Sequence, residues 1–178
     1  MEISVKRKLL YLAIGLVVLG VLMRLLPHIP NIAPVGAVAL FGGAVLPSRY
    51  AWWLPLAIMV ASDMLLGFYD GLLFNWAAFV AVGVIGMLLA RFNTSQRIVF
   101  GVLGGGLAFY IISNFGVWLQ GGLYAHTWTG LVECYTMALP FLRNTLVGDL
   151  LYSSLLFGAY AMAQRGWQTT VAEKPTAA

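Results

Sequence analysis

Four ionisable side chains lie within hydrophobic stretches of the chain or at their ends, where a charge is expensive. They are Arg24, Asp63, Arg143 and Asp149. A charged side chain at the centre of a bilayer costs about 2.5–3.5 kcal/mol or more, so such residues usually face a cavity or a partner. Carboxylate and guanidinium groups gathered in one place could bind a small solute that carries charges of both signs.

The overall composition is that of an integral membrane protein. The chain has 178 residues, of which 61% are hydrophobic and 9% are charged, and its mean hydropathy is +0.89. A soluble domain carries about 25% charged residues, so this chain could not cover a soluble surface. We predict one transmembrane domain at 1–164, followed by a polar tail at 165–178 that we expect to be disordered and cytoplasmic.

The basic residues are scattered between the hydrophobic stretches, although the net charge is +4. This pattern is typical of topology signals in a membrane protein, and it predicts no nucleic-acid partner. The chain has one cysteine, so an internal disulfide is excluded.

Six hydrophobic segments are predicted to be membrane-spanning helices, since a span needs about 20 apolar residues. Their predicted ranges are 9–26, 32–46, 50–68, 72–90, 98–119 and 141–163. Pro140 should divide the last hydrophobic stretch, which leaves 130–139 as a short helix in the membrane interface. The predicted fold is therefore all-α, an integral membrane bundle of six transmembrane helices with a short interfacial helix before the last span.

The distribution of positive charge predicts the orientation. Six spans place both termini on one side of the membrane, and basic residues favour the cytoplasmic side. With both termini cytoplasmic, every lysine and arginine except Arg24 and Arg143 falls on that side. We therefore expect a multi-pass protein of a bacterial inner membrane, with its N- and C-termini in the cytoplasm.

This topology gathers polar and aromatic side chains in the outer half of the bundle, while the inner halves carry almost no charge. A channel would need a polar lining along its whole length. The asymmetry instead favours an outward-facing pocket that captures a small polar solute. The predicted substrate-binding residues are Asp63, Asn114, Trp118, Arg143, Asn144 and Asp149.

Each predicted residue has an expected role. Arg143 would pair with an anionic group of the solute, and Asp63 and Asp149 would accept hydrogen bonds or pair with a cationic group. Asn114 would supply oriented hydrogen bonds, and Trp118 would stack on a ring.

Structural roles for the same residues remain open. Arg24 could extend to lipid headgroups, Asp63 and Arg143 could form an interhelical ion pair, and Asp149 could cap a helix or pair locally. The tryptophans also suit an aromatic belt at the membrane surface. The alternative hypothesis is thus a structural or assembly protein whose buried ion pairs tie helices together and which binds no ligand.

Motifs of known enzyme classes are missing from the sequence. It contains no Gly-x-x-x-x-Gly-Lys-Ser/Thr loop, no Gly-x-Ser-x-Gly elbow and no His-Glu-x-x-His pair. We therefore expect no enzymatic activity and no cofactor. His28 and His126 are expected to be solvated loop residues and Cys134 a small apolar residue, so we predict no metal site.

Two stretches carry a resemblance to a known family. The first is Pro30-Asn-Ile-Ala-Pro-Val-Gly-Ala-Val-Ala-Leu-Phe-Gly-Gly43, followed by Ser62-Asp-Met-Leu-Leu-Gly-Phe-Tyr69. The second is Ser113-Asn-Phe-Gly-Val-Trp118, followed by Pro140-Phe-Leu-Arg-Asn-Thr-Leu-Val-Gly-Asp149. Over about 24–157 the chain resembles an uncharacterised family of small bacterial inner-membrane proteins.

More remotely, the chain is similar to the S components of energy-coupling-factor (ECF) transporters. That resemblance implies a six-helix membrane protein that binds a vitamin or another micronutrient from the outside. It also implies a transmembrane coupling subunit and two ATPases as partners that supply energy for uptake. The Ala-x-x-x-Ala motif of those proteins, used for docking in their first helix, occurs here at Ala33 and Ala37, in the second segment.

Overall fold

The fold is helical throughout the part of the chain that the structure describes. The structure is a computed structural model that describes the backbone of residues 2–27, 29–120 and 122–172, and no strand occurs in these ranges. The helices are α1 (Glu2–Leu25), α2 (Val35–Val45), α3 (Ser48–Ala51), α4 (Trp53–Leu66), α5 (Leu72–Leu88), α6 (Thr94–Gln120), α7 (Trp128–Met137) and α8 (Leu139–Ala172). A 3₁₀ turn at Leu89–Arg91 follows α5.

Among the described residues, four helical segments are long and apolar enough to cross a membrane, as expected for a membrane protein. They are Arg7–Leu25, Leu72–Arg91, Thr94–Gln120 and Leu139–Gln164. The other two predicted spans are shorter than expected. Helix α2 has 11 residues and α4 has 14, against the 20 or so that cross a bilayer.

Prolines and glycines account for the short α2 and α4. Pro34 precedes α2, and Leu46 is extended (ψ 153°) because Pro47 follows it and disfavours helical geometry at that position. At the end of α4, Gly67 adopts φ +95°, a conformation that side chains other than glycine's rarely allow. Hydrophobic residues continue past these helix ends, so the predicted ranges 32–46 and 50–68 were too long.

The division of the last hydrophobic stretch is confirmed. The short helix predicted at 130–139 is α7. Pro140 lies in the first turn of α8, where the backbone N–H that proline lacks would have no partner within the helix. Helix α8 then runs to Ala172, past the predicted end of the transmembrane domain at 164. The remainder of the predicted tail, 173–178, lies outside the described residues.

Helix α2 is the centre of the bundle. Its residues from Val35 to Gly43 are all buried, and Phe41 packs edge-to-face on Phe157 of α8 with ring centroids 5.1 Å apart. Towards its C-terminus α2 lies directly against the backbone of α5. A Cβ on Gly43 would overlap the Gly83 carbonyl oxygen, and one on Gly86 would overlap that of Leu40. Small residues thus let these two helices touch, as in other membrane bundles.

Candidate functional site

A cavity of about 190 Å³ lies at the end of the bundle where α2 begins. Phe79 and Phe109 form part of its apolar wall, with ring centroids 4.8 Å apart. Its polar side chains come from five helices or turns and are Arg24, Asn31, Tyr69, Asn75, Thr145 and Asp149. Polar groups that converge in a partly apolar cavity are typical of small-molecule sites.

Asp63 lies behind this cavity, where it is fully buried and holds Arg24 in place. Its Oδ1 is 2.7 Å from Nη1 of Arg24, and its Oδ2 accepts a hydrogen bond from Nε1 of Trp76 at 2.7 Å. Arg24 also donates to the Ser62 hydroxyl. This network ties α1, α4 and α5 together and uses both carboxylate oxygens.

The structure corrects two of the pairings considered from the sequence. Asp63 pairs with Arg24 rather than Arg143, and Arg24 turns inward with only 16% of its side chain exposed. Arg143 is exposed and lines neither of the cavities described here. It lies on a different face of α8 from Asp149, because a separation of six residues is not a whole number of helical turns.

Asp149 is the second charged group of the cavity and is 6% exposed. Its carboxylate lies against the first turn of α2, where the Ala37 backbone N–H faces it and a Cβ on Gly36 would overlap it. Pro34, the residue before α2, supplies no side-chain cap. The carboxylate therefore takes the place of a capping anion at a helix N-terminus. No lysine or arginine among the described side chains lies within 4 Å of it.

Two amides fix the turn before α2 to α8. Asn31, which has φ +62°, donates from Nδ2 to Oγ1 of Thr145 at 3.2 Å. Asn144 donates from Nδ2 to the Pro30 carbonyl oxygen at 3.1 Å. Asn144 is thus a loop anchor outside the cavity, whereas Asn31 and Thr145 form part of its wall.

A second cavity of about 350 Å³ adjoins the first and shares Asn31, Asn75 and Phe109 with it. Asn114 and Cys134 also line it, the first donating its amide to the Tyr110 carbonyl oxygen at 2.8 Å. Because burial raises the pKa of the Cys134 thiol, that group stays protonated and is a weak nucleophile at neutral pH.

The six predicted binding residues are therefore only partly brought together. Asp149 lines the first cavity and Asn114 the second, while Asp63 supports Arg24 from behind. Trp118 lies outside both cavities, where its Nε1 donates to the Ala125 carbonyl oxygen at 3.0 Å and its ring meets His126. His28 lies outside the described residues.

Five polar residues of the first cavity, Tyr69 among them, were not among the predicted binding residues. Arg24 and Thr145 had a signal in the sequence, since Arg24 is a charge at a hydrophobic helix end and Thr145 shares a helical face with Asp149. Asn31 lies in a proline-rich turn just before α2, where an asparagine is usually explained as a helix cap. Asn75 had no signal, because one amide in an apolar helix has no characteristic spacing.

The comparisons with known proteins identify a family. A profile described as a family of unknown function, DUF6580, matches residues 4–171. The chain belongs to DUF6580. This agrees with the expected uncharacterised family. No curated protein and no solved structure matches the chain. Membership of DUF6580 thus carries no activity with it, and the function has to be argued from the cavity.

Proposed function

We propose that this DUF6580 protein binds a small polar solute, such as a vitamin or another micronutrient, in an outward-facing pocket for uptake. The observation that supports the proposal best is the first cavity, which joins Arg24 and Asp149 in a chain with few other charges. Buried ionisable groups at membrane depth are costly and usually belong to a solute or ion pathway.

The proposed membrane arrangement has six crossings, with α2 and α4 as the short ones. It is supported by the meeting of helix ends around the cavity: Gln120 at the end of α6 accepts a hydrogen bond from the Gly71 backbone at the start of α5. Arg49 and Arg91 are exposed and lie beyond the other ends of α2 and α5. Basic residues on that side favour cytoplasmic termini and a cavity that opens outward.

Cysteine labelling of whole cells tests this orientation. In a Cys134→Ala background, Asp70→Cys should react with a membrane-impermeant maleimide from outside, and Arg91→Cys should react only after lysis. Both parent residues are exposed, so they form a matched pair. The reverse pattern would contradict the outward-facing pocket.

The energy for uptake is proposed to come from partner subunits, which is what the remote sequence resemblance to S components implies. The sequence has no phosphate-binding loop of its own. A transmembrane coupling subunit and ATPases that co-purify with the tagged protein would support this part of the proposal, and an uptake that needs only an ion gradient would contradict it.

Native mass spectrometry of the purified protein tests solute binding directly. We expect the wild-type chain to retain a small molecule, and Asp149→Asn and Arg24→Gln to lose it. Arg143→Gln is the matched control, since Arg143 is exposed and lines neither cavity. A wild-type protein that retains nothing, or variants that all retain the molecule equally, would count against a solute site here.

A structural role without ligand is the second candidate, and the Arg24–Asp63–Trp76 network favours it. The charge swap Arg24→Asp with Asp63→Arg separates the two candidates. If the ion pair is purely structural, the double variant should function as fully as the wild-type protein. A solute site predicts that folding recovers while binding does not, because the cation that lines the cavity has been replaced by a carboxylate.

A further inference from the structure

The charges around the first cavity do not balance. Arg24 is its one described cation, and the Asp63 carboxylate that touches this guanidinium already neutralises it. Asp149 on the α8 side of the cavity then remains as an excess carboxylate. When Asp149 is ionised, the empty cavity thus presents a net negative charge to any solute that enters it.

The surroundings of Asp149 compensate its charge only in part. The groups that face it are backbone at Gly36 and Ala37, and no described lysine or arginine lies within 4 Å. The N-terminus of a helix such as α2 is equivalent to about half a positive charge. A buried carboxyl group with so little compensation either takes up a proton or is ionised beside a cation, so a cationic solute is the one that it binds best.

An anionic solute would meet less favourable surroundings. It would add a further negative charge close to Asp149, and the Arg24 guanidinium has already committed Nη1 to Asp63 and Ser62. The other N–H groups of Arg24 can still bind a neutral acceptor such as a hydroxyl or a carbonyl oxygen. The Phe79 and Phe109 rings offer an apolar surface to the body of the solute and can attract an ammonium group.

We propose that the solute taken up is a small protonated amine rather than an organic anion. This inference rests on the proposed uptake function. The ammonium group binds beside Asp149, a neutral acceptor of the solute faces Arg24, and an apolar or aromatic body lies against Phe79 and Phe109.

Three probes with the same phenol ring and different charges test the proposal: tyramine (an amine), N-acetyltyramine (neutral) and 4-hydroxyphenylacetate (an anion). Binding to the full chain in detergent is measured by titration calorimetry and by the shift of the thermal midpoint. We expect the Kd of tyramine to be at least about tenfold lower than that of N-acetyltyramine. We expect the anion not to bind.

Two variants assign the preference to Asp149. Asp149→Asn should remove the advantage of tyramine over N-acetyltyramine, and Arg143→Gln should leave it unchanged. The comparison of the three probes on the wild-type chain needs no variant, so it stands even if Asp149→Asn fails to fold.

The outcomes separate this inference from the function on which it rests. Binding of the anion as tight as that of tyramine, equal binding of the amine and its acetylated form, or no binding of any probe would overturn the amine proposal. Solute capture itself would survive these results if native mass spectrometry still found a retained molecule that Arg24→Gln releases. Both solute capture and the amine proposal would be overturned if no molecule were retained and no probe bound.

Discussion

The two ends of α2 use glycine for opposite purposes. At its first turn, Gly36 leaves room for the Asp149 carboxylate and α2 borders a cavity. Near its last turn, Gly43 leaves room for the backbone of α5, and the helices touch without space between them. The same residue type makes a polar site at one end and a dry helix contact at the other.

The glycine contact with α5 holds the bundle together, whereas the glycine beside Asp149 borders the polar cavity. Overlap with backbone cannot be relieved by a side-chain rotation, so the Gly43–Gly86 contact fixes how α2 and α5 pack. Overlap with a carboxylate can be relieved by moving that carboxylate. Changes at the glycine contact should therefore affect stability, and changes at the cavity should chiefly affect binding, apart from the ion pair behind it.

The largest expected effect on stability comes from breaking the ion pair between Arg24 and Asp63. Arg24→Met leaves the fully buried Asp63 without its cation, and breaking a buried pair in this way costs about 3–5 kcal/mol. The measurement is unfolding of the purified protein in a denaturing detergent. The double variant Arg24→Met with Asp63→Leu should recover most of the loss, and a single variant as stable as wild type would show that the pair does not hold the polar end together.

The glycine contact should give the next largest effect on stability. Gly86→Ala forces a Cβ into the Leu40 carbonyl oxygen, and overpacking of this kind costs about 1–3 kcal/mol. The thermal midpoint should fall, while the solute retained per folded molecule stays the same. Gly104→Ala is the matched control, because its nearest neighbour is Cγ2 of Ile85 at 4.0 Å. Equal midpoints for the two variants would remove the distinction between the ends of α2.

Gly36→Ala should have the opposite effect to Gly86→Ala: it should lower solute affinity more than it lowers the thermal midpoint. Its new Cβ displaces the Asp149 carboxylate and not the backbone of another helix, so solute affinity should fall about tenfold. The midpoint should fall less than in Gly86→Ala. Calorimetric titration alongside thermal unfolding checks both parts, and a variant that loses stability but keeps its affinity would contradict the assigned site.

The smallest expected effect is on the labelling rate of Cys134, which reports access to the second cavity. Because burial raises the pKa of the Cys134 thiol, less of it is the reactive thiolate at a given pH, and its labelling should be slow near pH 7. The rate with a maleimide should rise only as the pH exceeds the usual thiol range, or once detergent unfolds the chain. Since the chain has one cysteine, the label reports this site alone. Fast labelling of the folded protein would show that the polar end opens to solvent.

Much of this architecture could be read from the sequence, since charged or proline-containing turns interrupt the hydrophobic pattern. The polar stretch from Arg91 to Arg97 marks the boundary between α5 and α6, which begins at Thr94, and Pro140 marks the start of α8. The lengths of α2 and α4 could not be read in this way, because Gly67 ends α4 inside a run that is still apolar.

The site was harder to predict than the fold, because topology gives the depth of a residue but not the direction that it faces. Arg143 was predicted to lie in the outer half near the pocket, and yet it is exposed and lines neither cavity. Arg24 is 38 residues from Ser62 and 39 residues from Asp63, so no local spacing indicates these contacts. Asp149, which was singled out for its charge within a hydrophobic stretch, does line the first cavity, and its role in binding stays a prediction.

If the proposed uptake function holds, the shortness of α2 determines how far a bound solute must still travel. At about 1.5 Å per residue, its 11 residues extend about 16 Å, roughly half of a hydrocarbon layer about 30 Å thick. With Leu139 at the outer boundary of that layer, Asp149 lies about 15 Å below it, near the midplane. In the proposed orientation, a solute held there would have crossed about half of the hydrocarbon layer, and α2 would fill part of the other half.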